Sequence, residues 1–283
     1  MPRYRLTIAY EGTDFHGWQK QYAREETAPK QSIVQHDTGR EGFVQLRTVQ
    51  WAIEEAVLKV FRERAHIQGA SRTDSGVHAR AQTAAFTVTG ENTNGGGPPI
   101  ERVAMALNSR LPDDVLVTEC QLAHDAFDPI KECEAKGYRY SFVTGPTRPL
   151  WDRRTLYYSY ESLDVDRMND AGKVLEGEHD FAAFAQISHG RESTVRTIYK
   201  CGVSTLDSGV VALDVSGNGF LYNMVRIIAG TLVGVGRGRF ELDRVRAALE
   251  SGDRTLAGQT LPPEGLCLMW MRYAGKNTGG DDP

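Results

Sequence analysis

The sequence predicts an α+β fold built from two ferredoxin-like halves. Three observations carry this. The chain has 283 residues, and at ~150 residues per domain that length gives about two domains. Between Arg3 and Leu122 the apolar periodicity switches in the order β-α-β-β-α-β, the ferredoxin-like arrangement. The order then recurs between Gly137 and Tyr273, as a repeat of pattern without sequence identity.

The elements follow in turn. Tyr4, Leu6, Ile8 and Tyr10 alternate, so Arg3 to Tyr10 is a strand. Residues 20–46 are polar and aperiodic and read as a long loop. Thr48 is a candidate N-cap for a helix whose apolar face is Val49, Ala52, Ile53, Ala56, Val57, Val60 and Phe61. Ala65–Gly69 and Gln82–Val88 read as strands, and Asn92–Pro99 as a Gly- and Pro-rich turn. Ile100, Val103, Ala104 and Leu107 mark a second helix, and Val115–Leu122 a fourth strand.

In the second half, Gly137–Val143 is a strand and Asp164–Leu175 a helix. Val195–Ser204 and Val210–Val215 form a hairpin around Asp207-Ser208-Gly209. Phe220–Val235 is an apolar helix, Leu242–Leu249 a short one, and Leu266–Tyr273 a closing strand. The expected division is an N-terminal domain at 1–115, a C-terminal domain at 116–273 and a polar tail at 274–283.

Composition narrows the function classes. Lys plus Arg is 33 and Asp plus Glu is 37, giving a formal net charge of −4. That excludes nucleic-acid binding by bulk positive charge and leaves room for a local basic cleft. Cys120, Cys133, Cys201 and Cys267 lie far apart without a C-x-x-C pair, so reduced buried thiols are expected. The most apolar run, Met224–Val235, is short and carries Arg226, so no membrane span is expected and the default location is the cytoplasm. No Walker loop, G-x-G-x-x-G, H-E-x-x-H or G-x-S-x-G is present, which argues against a cofactor-dependent or metal enzyme.

Four stretches could carry chemistry. Gly69 to Arg80 packs Arg72, Asp74, His78 and Arg80 among small residues between two strands. An Asp flanked by Arg stays a carboxylate, which suits a nucleophile; a hairpin turn with solvated charges is the plain alternative. Asp207-Ser208-Gly209-Val210 repeats the tetrapeptide of Asp74 to Val77 in an ordinary hairpin, so the tetrapeptide alone says little. In Tyr138-Arg139-Tyr140 alternation puts both tyrosines on one sheet face, where they could stack on bases or fill a core. Arg226 lies within an apolar helix and calls for an acidic partner, structural or catalytic. The loop Tyr10 to Gln19, with Phe15, His16 and Trp18, would bind if its aromatics are exposed, and is a packed turn otherwise.

Taken together these stretches resemble the TruA-type tRNA pseudouridine synthases along nearly the whole chain. Tyr10-Glu11-Gly12 through Gly17-Trp18-Gln19 is similar to the opening motif, Thr48-Val49-Gln50 to a first helix start, and Arg72 to Ala79 to the catalytic motif. Leu107-Asn108 with Leu111-Pro112, Tyr138-Arg139-Tyr140, Gly177 with Asp180-Phe181 and Phe184, Met224-Val225-Arg226 and Gly265-Leu266 follow in the family's order.

The resemblance implies RRM-like halves in one extended, mainly antiparallel sheet, with helices on one face and a central active-site cleft. It implies Asp74 as nucleophile, Tyr138 stacked on the target uracil, Arg226 paired with Asp74, Arg72 assisting base flipping and Leu266 walling the pocket. Thr73, Gly76, His78 and Trp18 are the further substrate-binding positions so implied. No cofactor or metal is needed. The implied partners are tRNA, modified in the anticodon arm, and a second copy in a homodimer. The chain departs from the family pattern in three places: an apparent insertion at 20–46, Ser71 in place of a glycine, and a Phe127-Asp128-Pro129-Ile130 segment lacking basic residues. Of these, Ser71 and the Asp128–Ile130 stretch motivate a rival, a catalytically impaired tRNA-binding or folding module. A two-carboxylate glycoside hydrolase ranks last, because no second acid accompanies Asp74.

Overall fold

A computed structural model describes residues 1–90, 97–186, 193–274 and 276–278 of the chain. The chain divides into two compact units, Met1–Cys133 with Trp270–Gly280 and Glu134–Met269 with Asp281–Pro283.

In the first unit, β1 (Arg3–Tyr10) is followed by three short strands, β2 (Tyr22–Arg24), β3 (Ile33–Gln35) and β4 (Phe43–Leu46). Then come α1 (Val49–Phe61), β5 (Gln68–Gly69), β6 (His78–Thr87), α2 (Ile100–Asn108) and β7 (Val115–Ala123). β1 lies between β6 and β7, and β5 adds to β6, all antiparallel. With α1 and α2 this gives the expected β-α-β-β-α-β order. Alternation along β1 buries Tyr4, Leu6, Ile8 and Tyr10. Thr48 caps α1 as expected, its hydroxyl accepting from the Trp51 N–H at 3.4 Å. Asn108 ties the end of α2 to β7 by donating to the Val117 carbonyl and accepting from its N–H, both at 2.8 Å. The expected boundary after residue 115 falls at the start of β7, a strand held in the first unit by its pairing with β1.

Residues 20–46 are not the long loop that their polarity implied. β2, β4 and β3 form a separate antiparallel sheet in that order. Ala28, Val44 and Leu46 pack as its small core, with Ala23 and Ile33 against them.

In the second unit β8 (Cys133–Thr144) is followed by β9 (Tyr157–Ser159), α3 (Val165–Val174), β10 (Gly177–Asp180), β11 (Val195–Thr205) and β12 (Val211–Gly217). Next come α4 (Met224–Gly236), α5 (Leu242–Ser251) and β13 (Leu266–Tyr273), whose residues from Trp270 on belong to the first unit, as does β14 (Lys276–Thr278). The strand order is β10-β11-β12-β8 with β13 beside β8, and β9 joins β8 as a parallel strand. The ferredoxin-like order thus recurs, and the fold is mixed α+β with mainly antiparallel pairing. α3 packs on β11 without a gap: a Cβ on Gly172 would lie 2.3 Å from the Cys201 carbonyl oxygen.

Several expectations are corrected. The strand at 65–69 shortens to Gln68–Gly69, and β6 starts at His78. The apolar helix starts at Met224, because Asn223 adopts a left-handed conformation at φ 59°. The polar tail contains β14, where Thr278 is buried and hydrogen-bonds both ways to the Met271 backbone. Of the four thiols only Cys201 is buried; Cys120, Cys133 and Cys267 are half-buried. Most of the turn read at Asn92–Pro99 lies outside the described residues. Among those residues no helix is long and apolar enough to cross a membrane.

Candidate active site

The Asp74 loop joins β5 to β6 in the first unit. Val77 N–H donates to the Asp74 carbonyl at 3.2 Å, and Gly76 sits at φ 80°, where glycine is favoured. The repeat at Asp207–Val210 makes a similar turn with Gly209 at φ 79°. What distinguishes the two is their surroundings. A Cβ on Gly209 would meet nothing within 4 Å.

The Asp74 loop is fastened to the loop after β1 by five hydrogen bonds. Trp18 N–H donates to the Thr73 carbonyl at 3.0 Å, and Gly76 N–H to the Phe15 carbonyl at 3.3 Å. The Ser75 hydroxyl donates to Phe15 O at 3.1 Å. The Tyr10 and Thr73 hydroxyls lie 2.7 Å apart. Gly12 N–H donates to His78 Nδ1 at 2.9 Å, which places the neutral ring's proton on Nε2. Contact is close enough to require glycines. A Cβ on Gly12 would lie 1.9 Å from Val77 O, and one on Gly17, at φ 80°, 2.7 Å from Thr73 O. The first turn of α1 holds the same loop, since Val49 and Gln50 N–H groups donate to Gly17 and Trp18 carbonyls.

Of the two readings of loop 10–19, exposed aromatics or a packed turn, the geometry gives the packed turn. Phe15 is 1% and Trp18 2% exposed. Trp18 packs so tightly under Gly69 that a Cβ there would overlap its ring at 2.3 Å. Thr73 and His78 are buried likewise, so their visible role is to hold the turn. Asp74 is half-buried, whereas Arg72, Ser75 and Arg80 are exposed. Ser71 is held by Gln82. Its N–H donates to the Gln82 side-chain oxygen at 3.2 Å, and its carbonyl accepts from the Gln82 amide at 2.5 Å.

Tyr138, Arg226 and Leu266 belong to the second unit. Tyr138 is 7% exposed, with its ring edge-to-face on Phe220 at 5.2 Å. Arg139 points to the other sheet face, as alternation requires, and pairs with Asp214 at 2.8 and 2.9 Å. Tyr140 is a core residue that donates to the Pro262 carbonyl at 2.7 Å, and burial pushes its phenol above the ordinary range. A side chain on Gly265 would collide with this ring. Leu266 is buried.

Arg226 is the third residue of α4 and half-buried, not deep within the helix. Its Nε donates to Leu261 O at 2.6 Å, and its Nη1 to the Asn223 side-chain oxygen at 2.7 Å. Asn223 donates onward to Gln186 Oε1. Asn223 and Gln82 are positioning residues that sequence reasoning missed. A Gln at a buried strand position was the available signal for Gln82; nothing in the pattern marked Asn223.

A turn of small residues, carrying a carboxylate and anchored at its base, presents a nucleophile in a defined place. The half-buried Asp74 is that nucleophile candidate, with cationic Arg72 and Arg80 exposed on the same segment. The chain belongs to the tRNA pseudouridine synthase family, whose model matches residues 6–127 and 171–274. Enzymes of this class are isomerases that convert uridine to pseudouridine in tRNA. Among curated relatives, a tRNA pseudouridine synthase A from Pelobacter propionicus is 38% identical over 269 residues, covering 95% of this chain and 98% of the relative. A tRNA pseudouridine synthase A 2 from Clostridium perfringens is 37% identical, covering 96% of this chain and all of the relative. A solved archaeal box H/ACA sRNP Nop10-Cbf5 complex aligns over 92% of this chain and 68% of that one, at 10% identity and a TM-score of 0.32.

Proposed function

We propose that this chain isomerises uridine in the anticodon stem-loop of tRNA, with Asp74 as the nucleophile. The carrying observation is the Asp74 turn, held by five hydrogen bonds to the loop after β1, in a chain of this family. The reaction is balanced within the nucleotide. The C1′–N1 bond breaks, the uracil turns, a C1′–C5 bond forms, C5 gives up its hydrogen as a proton and N1 takes one up. The target base must leave its stack before its reacting atoms are reachable. Arg72, exposed beside Asp74, is the residue assigned to that step. Tyr138 is assigned to the face of the uracil, Leu266 to the pocket wall, and Arg226 to pairing with Asp74; the family motifs support these roles. Thr73, Gly76, His78 and Trp18 support the site from beneath.

The test is release of tritium from tRNA labelled at uridine C5. Wild-type protein releases it, and Asp74→Ala or Asp74→Asn lowers the rate by at least 10³-fold, about 4 kcal/mol of barrier. Equal rates would overturn the assignment of Asp74. Tight tRNA binding without release by the wild type would instead favour the impaired-module reading. The same family likeness supports a homodimer in the cytoplasm, and sedimentation of the purified protein tests the dimer.

A further inference from the structure

The 20–46 segment folds as a small sheet whose role the proposed reaction leaves open. Its cations, Lys20, Arg24, Lys30 and Arg40, are balanced by Glu25, Glu26, Asp37 and Glu41. Any attraction for RNA must therefore come from how one face is arranged, not from net charge.

The register sorts the faces. Tyr22 stands opposite Gln45, Ala23 opposite Val44 and Arg24 opposite Phe43. Ala23 and Val44 turn to the small core, so alternation turns Tyr22, Arg24, Phe43 and Gln45 to the other side. There Tyr22 is 39% exposed, with the Arg40 guanidinium 5.2 Å from its ring centre. Arg24 is exposed two residues along the same strand. Gln45, opposite Tyr22, is only 3% exposed, and among the described residues its side-chain amide nitrogen has no hydrogen-bond partner. An exposed aromatic ring and two flanking arginines on one sheet face form the chemistry that stacks an unpaired base and neutralises its phosphates.

The sheet is also continuous with the catalytic turn. Leu46 N–H donates to Gln21 O, Arg47 N–H to Ser32 O, and His16 N–H to Arg47 O, one residue from the Phe15 and Gly17 contacts to the Asp74 loop. Arg47 itself is held by Asp114 at 2.8 and 2.9 Å and lies over the Phe15 ring.

We infer that the β2-β4-β3 sheet is a substrate-contact module. Its Tyr22–Arg24–Arg40 face grips an unpaired, phosphate-bearing stretch of the tRNA outside the target nucleotide. This rests on the reading of the chain as a tRNA-modifying enzyme.

The test measures tRNA binding and tritium release together, on the full chain. Arg24→Glu with Arg40→Glu weakens binding at least tenfold and lowers the slope of log affinity against log salt by about two. Tyr22→Ala raises KM about tenfold, and Tyr22→Trp restores it. At saturating tRNA kcat stays within twofold in every variant, because Asp74 is untouched. The three side chains are exposed, and matching far-ultraviolet spectra establish that the variants fold. Unchanged affinity and salt slope would overturn the inference, as would a kcat loss with unchanged KM. If the wild type binds tRNA without releasing tritium, the binding readout still decides this inference while the proposed reaction fails.

Discussion

Gly17 shows how one residue can hold the turn that carries Asp74. It sits at φ 80°, and a Cβ there would press to 2.7 Å on the Thr73 carbonyl oxygen, directly before Asp74. Gly17→Ala combines left-handed strain with a backbone collision, so a loss of about 1–3 kcal/mol is expected. Gly209→Ala is the control, because φ is 79° there but the surrounding space is open. Urea unfolding with tritium release separates them: both lose stability, and only Gly17→Ala drops in kcat. His16, one residue earlier, ties stability to pH. Burial holds its imidazole below the ordinary 6.5. The folded state therefore disfavours the proton, and this contribution is complete above pH 6.5 and lost as pH falls through the lowered value. Wild-type protein should lose more of its urea midpoint between pH 7.5 and 5.5 than His16→Gln does. An equal loss in both would remove His16 as the cause.

At the scale of elements, α1 does two jobs. Its apolar stripe enters the core, and its first turn takes the Gly17 and Trp18 carbonyls that fix the loop beneath Asp74. Removing the cap by Thr48→Ala should cost about 1 kcal/mol in thermal or urea unfolding. This start was legible in the sequence because Thr48 directly precedes a seven-residue apolar stripe. β13 was legible to both ends, since Leu266–Tyr273 is an apolar run broken only by Arg272. The β2-β4-β3 sheet was not. Its strands have three or four residues, too few for a period of two to stand out, and its core is five small or aliphatic residues spread over 24 positions. β14 escaped for the same reason, and the helix start at Met224 because a left-handed Asn223 leaves no mark in a hydropathy pattern.

For the whole molecule, the doubled ferredoxin-like pattern was readable because each half repeats the same alternation of periods. The site was readable as a motif but not as a mechanism of support. Tyr10, Gly12, Phe15 and Trp18 gather under Asp74 from a distant stretch of sequence, and only folding brings them there. The net charge of −4 also takes on a local meaning. Arg139 is committed to Asp214 and Arg47 to Asp114, so these two are not available for phosphate, and with a net negative chain affinity must rest on shape and stacking as well as charge.

The division of the chain has a consequence for its birth on the ribosome. The first unit ends at Cys133 and resumes at Trp270, deep in the closing strand β13. Tyr273 returns to donate to the Pro129 carbonyl at 2.7 Å, and the Arg5 guanidinium lies 4.5 Å from its ring centre. An emerging polypeptide therefore carries Asp74, the candidate nucleophile, long before the unit around it can close. All of residues 134–269 must be made first, on the order of ten seconds of translation. For that interval the N-terminal unit lacks its last strand, and a transcript truncated before codon 270 would yield an Asp74 turn on an unfinished support.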